Sequence, residues 1–292
     1  MLAESKTQAH QGLSKILVLG MLLLLPYLAA WYLGDLREHT LGFEIIFFGA
    51  FGLYTGVVAL ALRRKTWSKR EWIVAFALAA IIQGCLIFTP PTLSDDMYRY
   101  IWDGRVQAQS LSPYRYPPKA PELADLRDEA IWRHINRKAS VTVYPPAAEM
   151  TFALLWRFWP DNVRWFQMIT GASGLLAGGL LIGLLQALKR APARVLIYLW
   201  SPLLAFETAH AAHVDGLILP LLIGAWWARV KERDSLVGIL LGLATAMKFY
   251  PALLLPALWR PHHPGGAGGC RWLLLLPFLL PIFLICSNMV VR

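Results

Sequence analysis

The stretch "LGFEIIFFGAFGLYTGVVALALRRKTWSKRE" (41–71) joins a long apolar run to a dense basic segment. Its first part, 41–62, has the roughly 20 residues that an α-helix needs to cross a bilayer. Five Lys and Arg residues follow within 63–71, and short basic loops of this kind stay on the cytoplasmic side of a membrane. The stretch therefore predicts a membrane helix that ends in the cytoplasm, and this end sets the direction of the helices around it.

The composition of the whole chain agrees with a membrane protein. Of its 292 residues, 57% are hydrophobic and 16% are charged, whereas an ordinary soluble domain has about 25% charged residues. We therefore expect an all-α, polytopic integral membrane protein that forms a single membrane domain over 1–292. The net charge of +10 lies mainly in short loops such as 63–71 and 189–194, while 91–145 holds eight basic and seven acidic residues. This distribution follows the positive-inside rule and argues against a nucleic-acid partner.

Hydropathy and the positive-inside rule together predict about eight or nine membrane helices. The predicted spans are about 15–34, 41–62, 72–90, 165–188, 195–213, 216–229, 236–247 and 272–289. A continuous helix from 236 to Trp259 would place the loop 260–271 outside. A helix break at "KFYP" (248–251) instead gives a hairpin whose short returning arm keeps Arg260 and Arg271 inside, and this is the favoured prediction because Pro251 disfavours a continuous helix. The segment 91–145 is then an extracytoplasmic loop. The short segment 146–159 carries Glu149 and Arg157, so it is expected to lie in the membrane interface or to extend the next span.

The outer loop begins with "LSDDMYRYIWDGRVQAQ" (93–109), which predicts a short interfacial helix. Ser94 fits the N-cap, and Asp95 and Asp96 fall in the first turn, where the helix dipole favours acidic side chains. That dipole effect alone is one explanation of the pair. The other is catalysis, in which one carboxylate accepts a proton from a hydroxyl nucleophile and the other orients the substrate or binds a cation.

Several further side chains of this loop are candidates for substrate binding. Arg99 lies three residues after Asp96 and four before Asp103, so it can bridge both carboxylates; a solvated ion pair is the alternative. "SPYRYPP" (112–118) offers an aromatic patch suited to a sugar face, or a rigid turn. "PELADLRDEAIWRHIN" (121–136) predicts a helix lying along the membrane surface as part of the scaffold of the loop.

Two more clusters are expected at the extracytoplasmic level. In "ETAHAAHVDG" (207–216), Glu207, His210 and His213 recur at intervals of three, but one such motif is a weak metal signal because carboxylate metal bundles need matching ligands on partner helices. A polar, substrate-facing helix end that includes Asp215 is the favoured interpretation. Lys248 follows a long apolar run, and it either snorkels to lipid phosphate or holds the phosphate of a lipid substrate.

Four stretches together resemble the GT-C superfamily of membrane glycosyltransferases, most closely the bacterial polyprenyl-phosphate-mannose-dependent and GT87-like enzymes. They are "SDDMYRYIWDGRVQAQSLSPYRYPP" (94–118), "VYPPAAEMTFALLW" (143–156), "AHVDGLILPLL" (212–222) and "GILLGLATAMKFYPALLLP" (238–256). The resemblance implies transfer of mannose or another hexose from a polyprenyl phosphate to an acceptor hydroxyl on the extracytoplasmic face. It places the catalytic aspartate at Asp95 or Asp96, with Asp95 favoured as the base, an acidic substrate position at Asp215, and the phosphate-binding lysine at Lys248.

The complete prediction follows from these observations. Asp95 and Asp96 are the catalytic candidates, no cofactor is certain, and a divalent cation could be held by Asp96 and Asp215. The predicted substrate-binding residues are Arg99, Asp103, Arg105, Tyr114, Tyr116, Tyr144, His210, His213, Asp215 and Lys248.

The expected partners are a polyprenyl-phosphate-linked sugar, a glycan or lipid acceptor, membrane lipids and, because the chain is short for such an enzyme, a partner subunit. The resemblance implies a bacterial plasma membrane with the site on its periplasmic or extracellular face. Two alternatives are a lipid or sugar transporter or flippase, which the "KFYP" break favours, and a non-catalytic subunit of a larger glycosyltransferase.

Overall fold

A computed structural model describes the backbone of residues 2–64 and 67–258 and the side chains from Gly12 onward within those ranges. This part of the chain is built from helices and loops, without strands. The α-helices are α1 Leu2–Leu33, α2 Thr40–Arg63, α3 Lys69–Ile87, α4 Asp96–Ala108, α5 Pro146–Phe158, α6 Val163–Ala187, α7 Val195–Leu199, α8 Pro202–Ala205, α9 Asp215–Val230, α10 Asp234–Met247 and α11 Leu255–Leu258. The all-helical prediction is confirmed for these residues.

Four of these helices are long and apolar enough to cross a membrane. They are Gly12–Leu33 within α1, α2, α3 and α6, and they match four predicted spans. The N-terminus of α3 is fixed by a capping box, in which the side chains of Ser68 and Glu71 each bind the other residue's backbone N–H. The total of eight or nine spans stays a prediction, and the span predicted at 272–289 lies outside the described residues.

The chain divides into two compact units. The first contains Met1–Ser94 and Gln167–Gly216, and the second contains Asp95–Phe166 and the described residues after Gly216. In the first unit, α1 packs against both α2 and α3. Its core includes Tyr27, Leu78, Trp200 and Phe206. The buried indole of Trp200 donates a hydrogen bond to the carbonyl of Ala75 at 2.9 Å, which ties α3 to the segment after α7.

The segment 195–213, predicted as a membrane span, is not one continuous helix, and its crossing of the membrane stays a prediction. The segment is broken into α7, α8 and a π-helical turn at Phe206–His210. Pro202 explains the first break, because proline lacks a backbone N–H and disfavours helical geometry in the residue before it. Ser201 accordingly adopts extended dihedral angles, φ −63° and ψ 126°.

Two predictions for the outer loop also need correction. The segment 121–136 forms only two short 3-10 helices, Pro121–Leu126 and Trp132–His134. Between them, the carboxylate of Asp128 accepts hydrogen bonds from the backbone N–H groups of Ile131 and Trp132. A side chain that binds nearby backbone donors in this way competes with continuous helix formation.

The helix predicted at 93–109 is confirmed as α4, but it begins at Asp96 and its N-cap is Asp95 rather than Ser94. Ser94 cannot act as the cap because it lies one residue too early. The two acidic residues therefore occupy the N-cap and the first helical position.

In the second unit, α5 packs against α4 and α10. The crossing of α4 and α5 is close at Gly104, where an added Cβ would lie 2.7 Å from the carbonyl oxygen of Phe152. The helix α5 ends at Phe158, and Trp159 is extended (φ −149°, ψ 91°), so α5 is not an extension of the following span. Its outward stripe is apolar, with Met150 70%, Leu154 54% and Phe158 73% exposed. This arrangement suits a helix that lies in the membrane interface.

The predicted break at "KFYP" is confirmed. The helix α10 ends at Met247, Lys248 is extended (φ −158°, ψ 140°), and a 3-10 helix follows over Tyr250–Leu254. Arg260 and Arg271, whose location decides whether the hairpin returns to the cytoplasm, lie outside the described residues. The hairpin therefore stays a prediction.

Candidate functional site

The acidic pair lies at the start of α4, where both side chains are half-buried. The side-chain amide of Asn136 donates a hydrogen bond to Oδ1 of Asp96 at 2.9 Å. The charge of Asp96 also acts on Tyr144, whose pKa rises to about 12 mainly because of burial and further because of nearby carboxylates. Tyr144 therefore keeps its phenolic proton at neutral pH, which suits a hydrogen-bond donor and not a base.

One turn further along α4, Arg99 and Asp103 form a buried ion pair. Nε of Arg99 donates to both carboxylate oxygens of Asp103, at 2.8 and 2.9 Å, and the two residues are only 5% and 1% exposed. Nη1 of Arg99 also donates to the carbonyl of Ser140 at 3.1 Å. The predicted pairing of Arg99 with Asp103 is confirmed, whereas its predicted bridge to Asp96 stays a prediction. The alternative of a solvated pair is wrong, because both side chains are buried.

Glu149 on α5 completes this buried cluster. Thr142 donates to its Oε1 at 2.6 Å, and the amide of Gln107 donates to its Oε2 at 2.9 Å. Burial raises the pKa of Glu149, and the neighbouring charge of Asp103 raises it further. Burial also raises the pKa of Asp103, while Arg99 opposes that rise. The arrangement that fits is a protonated Glu149 donating a hydrogen bond to an ionised Asp103.

This cluster predicts that the protein loses stability as the pH rises from the acidic range into the alkaline range. The folded state holds a proton on Glu149 that the unfolded chain releases near its ordinary pKa, so the stabilisation is complete below that value and declines above it. Thermal unfolding of the purified protein should show a midpoint that falls between pH 5.5 and pH 9. Glu149→Gln should flatten the profile, and an equally steep profile in that variant would contradict the assignment.

Arg105 organises another part of the same loop. It donates to the carboxylate of Asp161 at 2.9 Å, to the carboxylate of Asp128 at 2.6 Å and to the carbonyl of Leu126 at 2.8 Å. Arg105 is buried, whereas the two carboxylates are partly exposed. It therefore joins α4 to residues 126–128 of the outer loop and to the connection between α5 and α6. Its predicted contact with substrate stays a prediction.

The predicted aromatic patch is divided between two roles. The hydroxyl of Tyr114 donates to the carbonyl of Tyr144 at 2.7 Å, and the ring of Tyr144 meets that of Tyr100 edge-on at 5.1 Å. The guanidinium carbon of Arg115 instead lies over the ring of Tyr116, 5.4 Å from the ring centroid. Tyr144 thus packs against α4 and Tyr114 is bonded to it. The contact of these tyrosines with sugar stays a prediction.

The histidine cluster lies in the first unit. His213 bonds to Ser94 through Nε2 at 3.0 Å and to the carboxylate of Glu207 through Nδ1. His210 is fully buried, and within the described part of the chain neither of its ring nitrogens has a hydrogen-bond partner. Asp215 begins α9 and is half-buried. The contacts of His213 with Glu207 and Ser94 fix its side chain within the polar segment 207–216. Substrate binding by these residues stays a prediction.

A metal site finds no support among the described side chains of residues 12–64 and 67–258, where no group of three or more His, Cys, Asp or Glu side chains is arranged to hold an ion. The tentative cation at Asp96 and Asp215 stays a prediction. Lys248 is half-buried directly after α10 and belongs to the same unit as Asp95 and Asp96. Its predicted role at a lipid phosphate is compatible with that position.

The sequence predicts no role in the site for two residues of this region. Asn136 follows a short 3-10 helix and carries no motif, so only the fold shows that it contacts Asp96. Glu149 was noted as a cost of crossing the membrane, and its burial beside Asp103 was not predicted. The available signal was a carboxylate within the largely apolar segment 146–159, because such a group needs polar partners when it is buried.

Comparison with known proteins gives one family and two curated relatives. The family described as "Alpha-(1->6)-mannopyranosyltransferase, N-terminal domain" matches residues 16–260. GPI mannosyltransferase 1 of Aspergillus fumigatus is 28% identical over 152 residues, which are 48% of this chain and 36% of that protein. GPI mannosyltransferase 1 of Gibberella zeae is 30% identical over 96 residues, 32% of this chain and 22% of that protein.

The matched segments span about a third or less of these fungal relatives. No solved structure matches the chain significantly. The family match, in contrast, includes all of the outer loop and every predicted site residue. Because that match takes in most of the chain, the protein belongs to the family of alpha-(1→6)-mannopyranosyltransferase N-terminal domains.

Proposed function

We propose that the protein transfers mannose from a polyprenyl-phosphate donor to a hydroxyl group of a mannoside or glycolipid acceptor on the extracytoplasmic side of the membrane. The observation that carries this proposal is the acidic pair at the start of α4, inside the region that matches a mannosyltransferase family. The two GPI mannosyltransferase 1 relatives support the same sugar. The basic segment 63–71 supports the extracytoplasmic location of the loop.

The proposed reaction is a displacement at the anomeric carbon of the donor sugar. One carboxylate of the pair accepts the proton of the acceptor hydroxyl, and the oxygen forms a bond to the anomeric carbon. The bond from that carbon to the phosphate oxygen breaks, and the polyprenyl phosphate leaves with both electrons. The cationic side chain of Lys248 stabilises the charge that develops on the phosphate. Asp95, Asp96 and Lys248 belong to the same compact unit, which supports this assignment.

The test uses the full chain purified into proteoliposomes. Radiolabelled polyprenyl-phosphate mannose is supplied with an α-mannoside acceptor, and GDP-mannose replaces it in a parallel reaction. We expect labelled product from the polyprenyl donor alone. Transfer from GDP-mannose alone would contradict the proposed donor. Movement of the lipid donor between leaflets without a labelled product would indicate a flippase instead.

A further inference from the structure

We infer that Asn136 is a positioning residue for Asp96, an inference that rests on the proposed function. The contact is direct, because Nδ2 of Asn136 donates to Oδ1 of Asp96 at 2.9 Å. A carboxylate on a helix end can rotate about two side-chain bonds, and a hydrogen bond to one oxygen restricts that rotation. A general base works best when a third group orients it in this way.

The segment that carries Asn136 is held firmly against α4. The ring of His134 stacks on that of Tyr98 with centroids 4.8 Å apart. Four residues after Asn136, the carbonyl of Ser140 accepts a hydrogen bond from Arg99. Positions 96, 98 and 99 of α4 thus each contact the segment 134–140. The segment that carries Asn136 therefore makes two further contacts with the first turn of α4, through His134 and Ser140.

The core side of the segment adds to this support. Ile131 and Ile135 are 1% and 4% exposed. The indole of Trp132 donates to the carbonyl of Pro118 at 3.0 Å, and the backbone of Lys119 donates to the carbonyl of Lys138 at 3.0 Å. Because these contacts do not involve the side chain of Asn136, its replacement should leave the segment in place.

The chemistry of the amide suits a positioning role. Asn supplies an N–H donor without adding a charge, so it fixes the carboxylate without neutralising it. Leu has a similar volume but no donor, His keeps a ring nitrogen near the position of the amide, and Asp puts a second negative charge there. These three replacements separate the hydrogen bond from the shape of the side chain.

The expected results are graded. Asn136→Leu should lower kcat about 10- to 100-fold with little change in KM, the usual loss when a supporting partner of a functional side chain is removed. Asn136→His should recover most of that loss, and Asn136→Asp should be the most severe because of like-charge repulsion. Arg133→Ala is the matched control on the same segment, since Arg133 is exposed and pairs only at the surface with Glu129.

Two comparisons decide the outcome. If Asn136 acts through Asp96, adding Asn136→Leu to Asp96→Asn should cause no further loss of kcat, and the melting temperature of each single variant should stay near that of the unmodified protein. Wild-type kcat in both Asn136→Leu and Asn136→Asp, with Asp96→Asn inactive, would overturn the inference about Asn136 and leave the proposed function intact. A fully active Asp96→Asn would instead refute the proposed role of Asp96.

Discussion

Asp96→Asn should lower the rate of mannosyl transfer by about 10³-fold, within the range that positioned general acid–base groups contribute. The amide has nearly the same shape as the carboxylate, so the start of α4 should keep its structure. What the variant loses is the carboxylate that Asn136 orients, which serves the reaction either as the proton acceptor or as the group that holds the substrate. The measurement is the rate of labelled product in proteoliposomes with saturating polyprenyl-phosphate mannose.

Asp95→Asn is the comparison that separates the roles of the two carboxylates. The resemblance to GT-C enzymes favours Asp95 as the base, whereas the contact with Asn136 favours an oriented Asp96. The variant that lowers kcat with KM unchanged marks the base, and a rise in KM marks the carboxylate that orients the substrate. Full activity in both variants would remove the proposed mechanism, because no carboxylate of the pair would then be needed.

The long helices of the fold were largely predictable because charged residues or proline mark their ends in the sequence. The apolar run predicted at 41–62 is α2, Thr40–Arg63, and it ends where the basic residues begin. The break after Met247 was predicted from Pro251 in the same way. The break within 195–213 has a similar cause, because Pro202 interrupts a segment in which hydropathy alone favours one continuous helix. The period of apolar residues in 121–136 likewise predicts a helix, and the hydrogen bonds of Asp128 to the backbone override it.

The site was predictable only where its contacts are local in sequence. Asp95 and Asp96 stand out by their position, and the spacing of four predicts that Arg99 and Asp103 pair. The partners that decide their environment come from much further along the chain. Asn136 contacts Asp96 from 40 residues away, and Glu149 binds Gln107 from 42 residues away. Such contacts depend on how the outer loop folds back on α4, which no local pattern encodes.

The ion pair inside this loop should show the largest effect on stability. Arg99→Met should lower the free energy of unfolding of the second unit by about 3–5 kcal/mol, the usual cost of leaving one charge of a buried pair without its partner. Asp103 would then be a carboxylate only 1% exposed, beside the second acid Glu149. Hydrogen–deuterium exchange of peptides from α4 measures this change, because it reports local opening.

The matched control is Arg133→Met, which removes an arginine of the same loop from a pair with the same spacing. The pair of Arg133 and Glu129 is 70% and 83% exposed, so its loss should cost no more than about 1 kcal/mol. The double variant Arg99→Met with Asp103→Asn should regain most of the stability lost in Arg99→Met, because it removes the unpaired charge while the amide can still bond to Glu149. Equal losses in the single and double variants would mean that Arg99 stabilises α4 by packing and its bond to Ser140, and that the charge of Asp103 contributes little.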